Sequence, residues 1–323
     1  MDPVLIVGTG HIGTFAARAV TERGLGVIAC DLRPSVGFFL RFGPPGAEVP
    51  LVVDALDEDE LSHTIRAMEA RSVVVCAGAN GGAARQPTSA DLRINALLPA
   101  AVARAAIAGG AGRLILVSSR AAYGPKEHAP LTETDAVRPP TPYGRSKLAG
   151  EIALREASSG SDLDVCILRA SGSFGPVRYL KGSHSARLFD DLLVAARLGR
   201  AIRLEASADT VDEYLYVKDL AAAIARAVSC GAGRLPRVVN IGPGAVTDAE
   251  TLAATFEAVT GGWRPTLSSA GGSRRSAIQP LSITLAKASL GFSPRFDLEA
   301  GLRDYVREIG WSRTRARASR ATR

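Results

Sequence analysis

Short, unbroken apolar runs alternate along this chain with longer stretches whose apolar residues return every three or four positions. The runs are Val4-Leu5-Ile6-Val7, Gly26 to Cys30, Val49 to Val53, Arg71 to Cys76 and Arg113 to Val117. Runs this short, without polar alternation, predict strands buried on both faces. Between them, Thr14 to Arg23, Glu58 to Ala70 and Ala90 to Ala108 predict helices. Strands alternating with helices of that length imply an α/β chain with a doubly wound parallel sheet. Ligands of such sheets bind beyond the carboxyl ends of the strands. Those ends carry Gly8 to Gly13, Asp31, Asp54, Ala77-Gly78-Ala79-Asn80 and Ser118-Ser119.

The first of these ends is the most specific. Gly8-Thr9-Gly10-His11-Ile12-Gly13 joins the first strand to the first helix, and Asp31 closes the second strand 23 positions after Gly8. Glycines there let the backbone approach a pyrophosphate at a positive helix N-terminus. An acid at that distance accepts a hydrogen bond from a ribose 2′-hydroxyl and repels a 2′-phosphate. NAD is therefore the expected cofactor, held by Gly8, Gly10, His11, Ile12, Gly13 and Asp31. Leu32 and Arg33 follow at the same strand end, and the charge of Arg33 leaves NADP open.

A second piece of chemistry lies in Thr141-Pro142-Tyr143-Gly144-Arg145-Ser146-Lys147, after a proline-rich entry that favours a helix start. Tyr143 and Lys147 are four residues apart and share a helix face. An ammonium beside a phenol favours the phenolate and lowers its pKa from about 10. That produces a general acid/base suited to an alcohol or a ketone.

Composition narrows the remaining classes. At 323 residues, 46% hydrophobic and 22% charged, the chain is long enough for one large or two smaller domains. No apolar run approaches the ~20 residues of a membrane span, and the first run leads into a glycine turn, not a leader cleavage site. Cys30, Cys76, Cys166 and Cys230 are dispersed and predict free thiols in a reducing, cytoplasmic compartment. His11, His63, His128 and His184 show no metal-ligand spacing. The net charge of +7 gathers in Arg313, Arg315, Arg317, Arg320 and Arg323, a tail of disordered composition, which argues against a nucleic-acid partner.

Six further landmarks fall in order. They are Val117-Ser118-Ser119 with Tyr123-Gly124; Tyr143 with Lys147; Arg169 with Phe174-Gly175-Pro176; Tyr214 to Leu220; Val239-Asn240-Ile241-Gly242; and Lys287-Ala288 with Leu290 to Pro294. On these the chain resembles the extended short-chain dehydrogenase/reductases, the NAD-dependent epimerase/dehydratase group. The resemblance implies a Rossmann-type domain from 1–172 and 211–243, and a smaller, discontinuous substrate domain from 173–210 and 244–310. The tail 311–323 stands apart, and a homodimer is expected. By the same resemblance Ser119, Tyr143 and Lys147 are catalytic, with Ser118 the neighbour that a one-residue shift would promote. Cofactor contacts extend to Asp54, Ala55, Ala77, Gly78, Ala79, Asn95, Val117 and Ala170, and Lys147 also holds the nicotinamide ribose. Substrate contacts fall on Ser119, Arg120, Tyr143, Gly172, Arg178 and Arg274.

The departures are as informative. Val7 replaces the first glycine of the family loop, and His11 stands where a phenylalanine is common. Arg120 follows Ser119 where dehydratases carry an acidic pair, so elimination of water lacks its acid and base. Gly172 and Asp212 occupy positions at which nucleotide-sugar enzymes place an asparagine and an arginine on the diphosphate, while Arg274 is retained. Arg178, Lys181 and Arg187 offer replacement charge. The expected activity is an NAD-dependent epimerase or oxidoreductase acting on a secondary alcohol of a sugar or nucleotide sugar. A dehydrogenase of a non-nucleotide sugar, sugar acid or polyol is the alternative, followed by a non-catalytic dinucleotide sensor.

Overall fold

The computed structural model describes residues 3–79, 88–124, 129–177, 183–205, 212–231, 233, 235–268 and 278–312. Its centre is a seven-stranded sheet of β1 (Val4–Val7), β2 (Val27–Asp31), β3 (Leu51–Val52), β4 (Ser72–Val75), β5 (Arg113–Ser119), β6 (Asp164–Ala170) and β10 (Val238–Ile241). The strand order is β10-β6-β5-β4-β1-β2-β3 and every pairing is parallel. All carboxyl ends therefore meet on one rim. The expected doubly wound parallel sheet is present.

Side-chain alternation divides each strand between two cores. Val4, Ile6, Val74, Ile115 and Leu168 face α1 (His11–Thr21), α8 (Val217–Val228) and α10 (Thr284–Leu290). Leu5, Val7, Val73, Val75, Leu114 and Leu116 face α3 (Glu58–Ala67), α5 (Leu98–Gly109) and α6 (Pro142–Ala157). Burial on both faces is why these strands read as continuous apolar runs.

Three boundaries differ from the pattern. β3 is reduced to two residues, with Val49 55% and Val52 68% exposed, because it is the edge strand and has one neighbour only. β5 runs two residues past Val117, since Ser118 and Ser119 pair with Arg169 and Ala170 of β6. The helix expected from Ala90 to Ala108 is an α-turn, α4 (Ser89–Asp91), a π-helical segment over Leu92–Leu97, and then α5. Ser89–Gly109 is long and apolar enough to cross a membrane, and its buried residues pack on the sheet.

A third, aromatic core lies beyond the rim. β7 (Gly172–Phe174) pairs with β9 (Tyr214–Tyr216), and β8 (Arg203–Glu205) with β11 (Thr266–Ser268), both parallel. Around them pack α7 (His184–Leu198), α9 (Ala249–Thr260) and α11 (Leu298–Glu308), with Phe174 stacked on Phe189 at 4.2 Å. Phe15 of α1 and Phe42 of α2 (Val36–Phe42) belong to the same cluster, so this layer is welded to the sheet through the first two helices.

Candidate active site

The first turn of α6 is brought against the end of β5 by a glycine. Thr141 caps the helix, its hydroxyl accepting from the Gly144 N–H at 3.0 Å, and Pro142 supplies a preset φ. A Cβ on Gly144 would stand 2.1 Å from the Ala121 carbonyl oxygen, so only glycine admits this approach. Ala121 belongs to a 3₁₀ turn, Arg120–Ala122, capped by Ser119, whose Oγ accepts from the Ala121 N–H at 3.1 Å. Tyr143 thereby comes beside Ser119.

The two serines are separated by strand alternation. Ser118 points into the core and donates to Glu151 Oε1 at 2.6 Å. Glu151 is fully buried and bonds Arg169 Nη2 at 2.6 Å. Ser119, on the other face, is the hydroxyl near Tyr143 and draws its pKa down. Glu151 was not expected from the sequence, although it continues the Tyr143, Lys147 series at i+4. Arg169 also lies 4.6 Å over the Tyr123 ring, and the Tyr123 hydroxyl donates to Asn240 Oδ1 at 2.7 Å. Three of the family landmarks are thus one buried network that ties α6, β5, β6 and β10 together.

The expected phenol–ammonium coupling is not what the fold provides. Lys147 Nζ donates to the Val117 carbonyl at 2.9 Å and lies 3.9 Å from where a Cβ on Gly78 would stand. Burial of Tyr143 is the largest influence on its phenol and raises its pKa; Ser119 opposes this and the Asp91 carboxylate adds to it. Lys147 is itself lowered to about 8 by burial, with Glu151 pulling the other way. Sharing a helix face brings two side chains to the same side, but the long lysine chain reaches past the ring to the strand carbonyl.

The rest of the tyrosine's support comes from the π-helical segment. Asn95 grips the Ala79 peptide from both sides, Nδ2 donating to Ala79 O at 2.7 Å and Oδ1 accepting from Ala79 N at 3.0 Å. Its Nδ2 also donates to Ser146 Oγ at 3.0 Å, and Ser146 in turn donates to the Tyr143 carbonyl at 2.8 Å. A Cβ on Gly150 would lie 1.9 Å from the Asn95 carbonyl oxygen, so α6 seats directly on this segment. Asn95 therefore fixes both the loop after β4 and the helix that carries Tyr143.

The glycine turn has the shape of a dinucleotide cradle. Gly8 has φ +96°, and a Cβ there would meet Ala77 N at 2.6 Å; a Cβ on Gly13 would meet Gly8 O at 1.8 Å. The α1 N-cap, Gly10, has no side chain to cap the helix, and around it lies open space. The first-turn amides of His11, Ile12 and Gly13 are thus left for an anion. Asp31 is oriented at the cradle's edge, Oδ2 accepting from Thr9 N at 2.8 Å and Oδ1 from Arg33 N at 2.9 Å, with lone pairs to spare. Leu32 is 51% exposed. Asp54 Oδ1 accepts from Leu56 N at 3.0 Å, and Ala55 is buried beside it. Val117 lies two residues before the end of β5, Ala170 ends the adjacent β6, and Ala77 to Ala79 follow β4. These residues fit NAD.

His11 departs from a simple packing role. Its Nδ1–H donates to the Pro176 carbonyl at 2.7 Å, joining the glycine turn to the segment after β7. Burial lowers the ring to about 4, so it is neutral, and Nε2 is a buried acceptor without a partner among the described residues.

On the substrate side Arg120 does not project freely. Its Nη1 lies 3.3 Å from Asp212 Oδ1 and 3.5 Å from Glu213 Oε2, and its Nη2 donates to Gln279 O at 2.5 Å. Glu213 was not expected from the sequence at all. Arg187 is exposed and lies 3.9 Å from Asp191 one turn on, a surface pair that offers nothing to the cleft. Arg178, Lys181 and Arg274, with the tail arginines, lie outside the described residues. The four cysteines are free, and no metal-ligating cluster occurs among the described residues.

The chain is 31% identical to a dTDP-glucose 4,6-dehydratase of Streptomyces griseus over 61% of its own length, spanning 58% of that relative. It is 27% identical to a UDP-glucose 4-epimerase of Streptomyces lividans over 90% of this chain and 91% of the other. A UDP-glucose-4-epimerase structure from Stenotrophomonas maltophila, with bound NAD and formylated UDP-arabinopyranose, superposes with a TM-score of 0.81. It is 24% identical, covers 96% of this chain and 99% of its own, and shares the fold. Residues 4–242 match the NAD dependent epimerase/dehydratase family, to which this chain therefore belongs.

Proposed function

We propose that this protein is an NAD-dependent enzyme that oxidises a secondary alcohol of a sugar and, by reversing the step on the other face, epimerises it. The observation that carries the reading is the placement of Ser119 and Tyr143 together on the rim that also holds the glycine cradle. Oxidised NAD, when bound, supplies a hydride acceptor and one positive charge. Tyr143, as the phenolate that the positive charge of bound NAD and the Ser119 hydrogen bond favour, takes the proton of the substrate hydroxyl and later returns it to the keto oxygen. Ser119 hydrogen-bonds that oxygen and opposes the burial that keeps the phenol protonated. Lys147 holds the cofactor ribose while anchored to the Val117 carbonyl. Asn95 and Ser146 keep the helix in place.

Two points support epimerisation over dehydration. Arg120-Ala121 follows Ser119 where elimination requires an acid and a base. The Streptomyces lividans relative, which this chain matches over most of its length, is named an epimerase. If the keto product leaves instead, the same residues make a dehydrogenase. The test is incubation with NAD and a panel of free and nucleotide-linked sugars. Isomerised sugar without net NADH supports the proposal; accumulating NADH supports the dehydrogenase; tight NAD binding with neither overturns both.

A further inference from the structure

Three departures on the substrate side interlock. A Cβ on Gly172 would lie 2.3 Å from Ser185 Oγ and 2.7 Å from Asp212 Oδ2. The space a side chain at 172 would enter is therefore filled by the Ser185 hydroxyl and the Asp212 carboxylate. The third member is Arg120, which faces that carboxylate at 3.3 Å. Asp212 also takes the Glu213 N–H at 2.8 Å and the Ser185 hydroxyl at 3.3 Å, on the first turn of α7, whose N-cap Ser183 makes no side-chain bond. A guanidinium and a helix N-terminus are the groups that hold an anion. Here a carboxylate of the chain itself engages the guanidinium and a hydroxyl of the helix's first turn.

This corner adjoins the candidate active site. Arg120 is the residue after Ser119, and Gly172 is two residues past Ala170, the register partner of Ser119. It is open to a ligand, since the side chains of Arg120 and Asp212 remain 16% and 20% exposed. A further group is unused. The Ser171 hydroxyl is buried, only 6% of the residue being exposed, and lacks a partner among the described residues. A Cβ on Gly242 would stand 3.3 Å from it and 2.6 Å from Glu213 Oε1, so it faces the same cluster.

We propose that Arg120, Asp212 and Ser171 are specificity-determining, binding neutral hydroxyl groups of a free sugar or polyol and rejecting the diphosphate of a nucleotide sugar. The inference rests on the sugar-alcohol chemistry at Tyr143 proposed above. Among the described residues, a diphosphate at this corner would meet the Asp212 carboxylate, and the guanidinium that faces it, Arg120, is already engaged by Asp212 and Glu213. A sugar hydroxyl, by contrast, can donate to Asp212 and accept from Ser171.

Calorimetric titration of the NAD-loaded protein with UDP tests this without requiring turnover. No binding is expected at millimolar UDP, and a submillimolar Kd overturns the proposal. Asp212→Asn removes the built-in charge and frees Arg120, and should tighten UDP binding by at least about tenfold; unchanged or weaker binding also overturns it. If that variant does not fold, the wild-type titration still decides. With whichever free sugar is turned over, Ser171→Ala should raise KM several-fold more than it lowers kcat, and a KM left unchanged counts against Ser171. Failure of the underlying chemistry is read separately, as full activity in Tyr143→Phe or as absence of NAD binding.

Discussion

The two sides of the cleft are built differently. On the cofactor side, the glycine turn, Asp31 and the Ala77–Ala79 loop follow strand ends and are set by the sheet register and neighbouring backbone. Gly8 meets Ala77 across paired strands, and Asp31 is held by Thr9 and Arg33. On the substrate side, Arg120, Gly172, Ser185, Asp212 and Gln279 come from five separate stretches and are held by charge. A cradle made of closely approaching backbone tolerates few sequences. A corner made of side-chain charge can be rebuilt by two or three substitutions without disturbing the sheet.

That contrast can be broken at several points. The largest effect is expected at Tyr143, which serves both sides: Tyr143→Phe should lower kcat on the order of 10²–10⁴-fold while NAD titration shows nearly unchanged affinity. Full activity would remove Tyr143 from the chemistry. Gly144→Ala places a Cβ 2.1 Å from Ala121 O and must push the first turn of α6 off the strand end. A shift of that kind costs roughly 10²-fold in kcat, with a lowered melting temperature, and an unaffected variant would show that the contact is not what positions the tyrosine.

A smaller effect sharpens the substrate side. Burial raises Glu213 to about 7, against the pull of Arg120 and of backbone bonds from Leu281 and Gly244. A carboxyl raised in the folded state contributes stability that is fully present below its unfolded pKa, near 4.5, and is lost as pH rises through about 7. Melting curves across that window should show the wild type losing on the order of 1–3 kcal/mol, and Glu213→Gln should flatten the dependence. An equally steep curve in the variant would assign it to another group. The smallest effect is on cofactor choice. Asp31→Ala should narrow the preference for NAD over NADP by less than about tenfold, measured by parallel titrations; tighter NADP binding by the wild type would make Arg33 the dominant residue.

Much of the candidate site was legible in the sequence, and the misreadings have physical causes. The strand ends, the glycine turn and the Tyr143–Lys147 pair follow from periodicity and fixed offsets, which are properties of a few consecutive residues. The choice between Ser118 and Ser119 needed the face of β5 that each occupies. The coupling of Tyr143 to Lys147 failed because the ammonium has the Val117 carbonyl as its partner, a strand 30 residues upstream. Glu151, Ser146 and Glu213 carried no pattern of their own, and only packing gave them partners.

By itself the sequence determined the parallel sheet, its ligand-bearing rim, the cradle for NAD and the residues able to handle a proton. Those depend on local propensity, side-chain period and the conformational freedom of glycine, all of which act over a few residues. The tertiary structure alone decided which serine meets the tyrosine, where the lysine ammonium finds its partner, and how Arg120, Gly172 and Asp212 form one corner. The reason is range: electrostatic energy and steric exclusion depend on distance in space. Residues 120, 172 and 212 acquire a distance from one another only when the paired β7 and β9 are folded against the turn that follows β5.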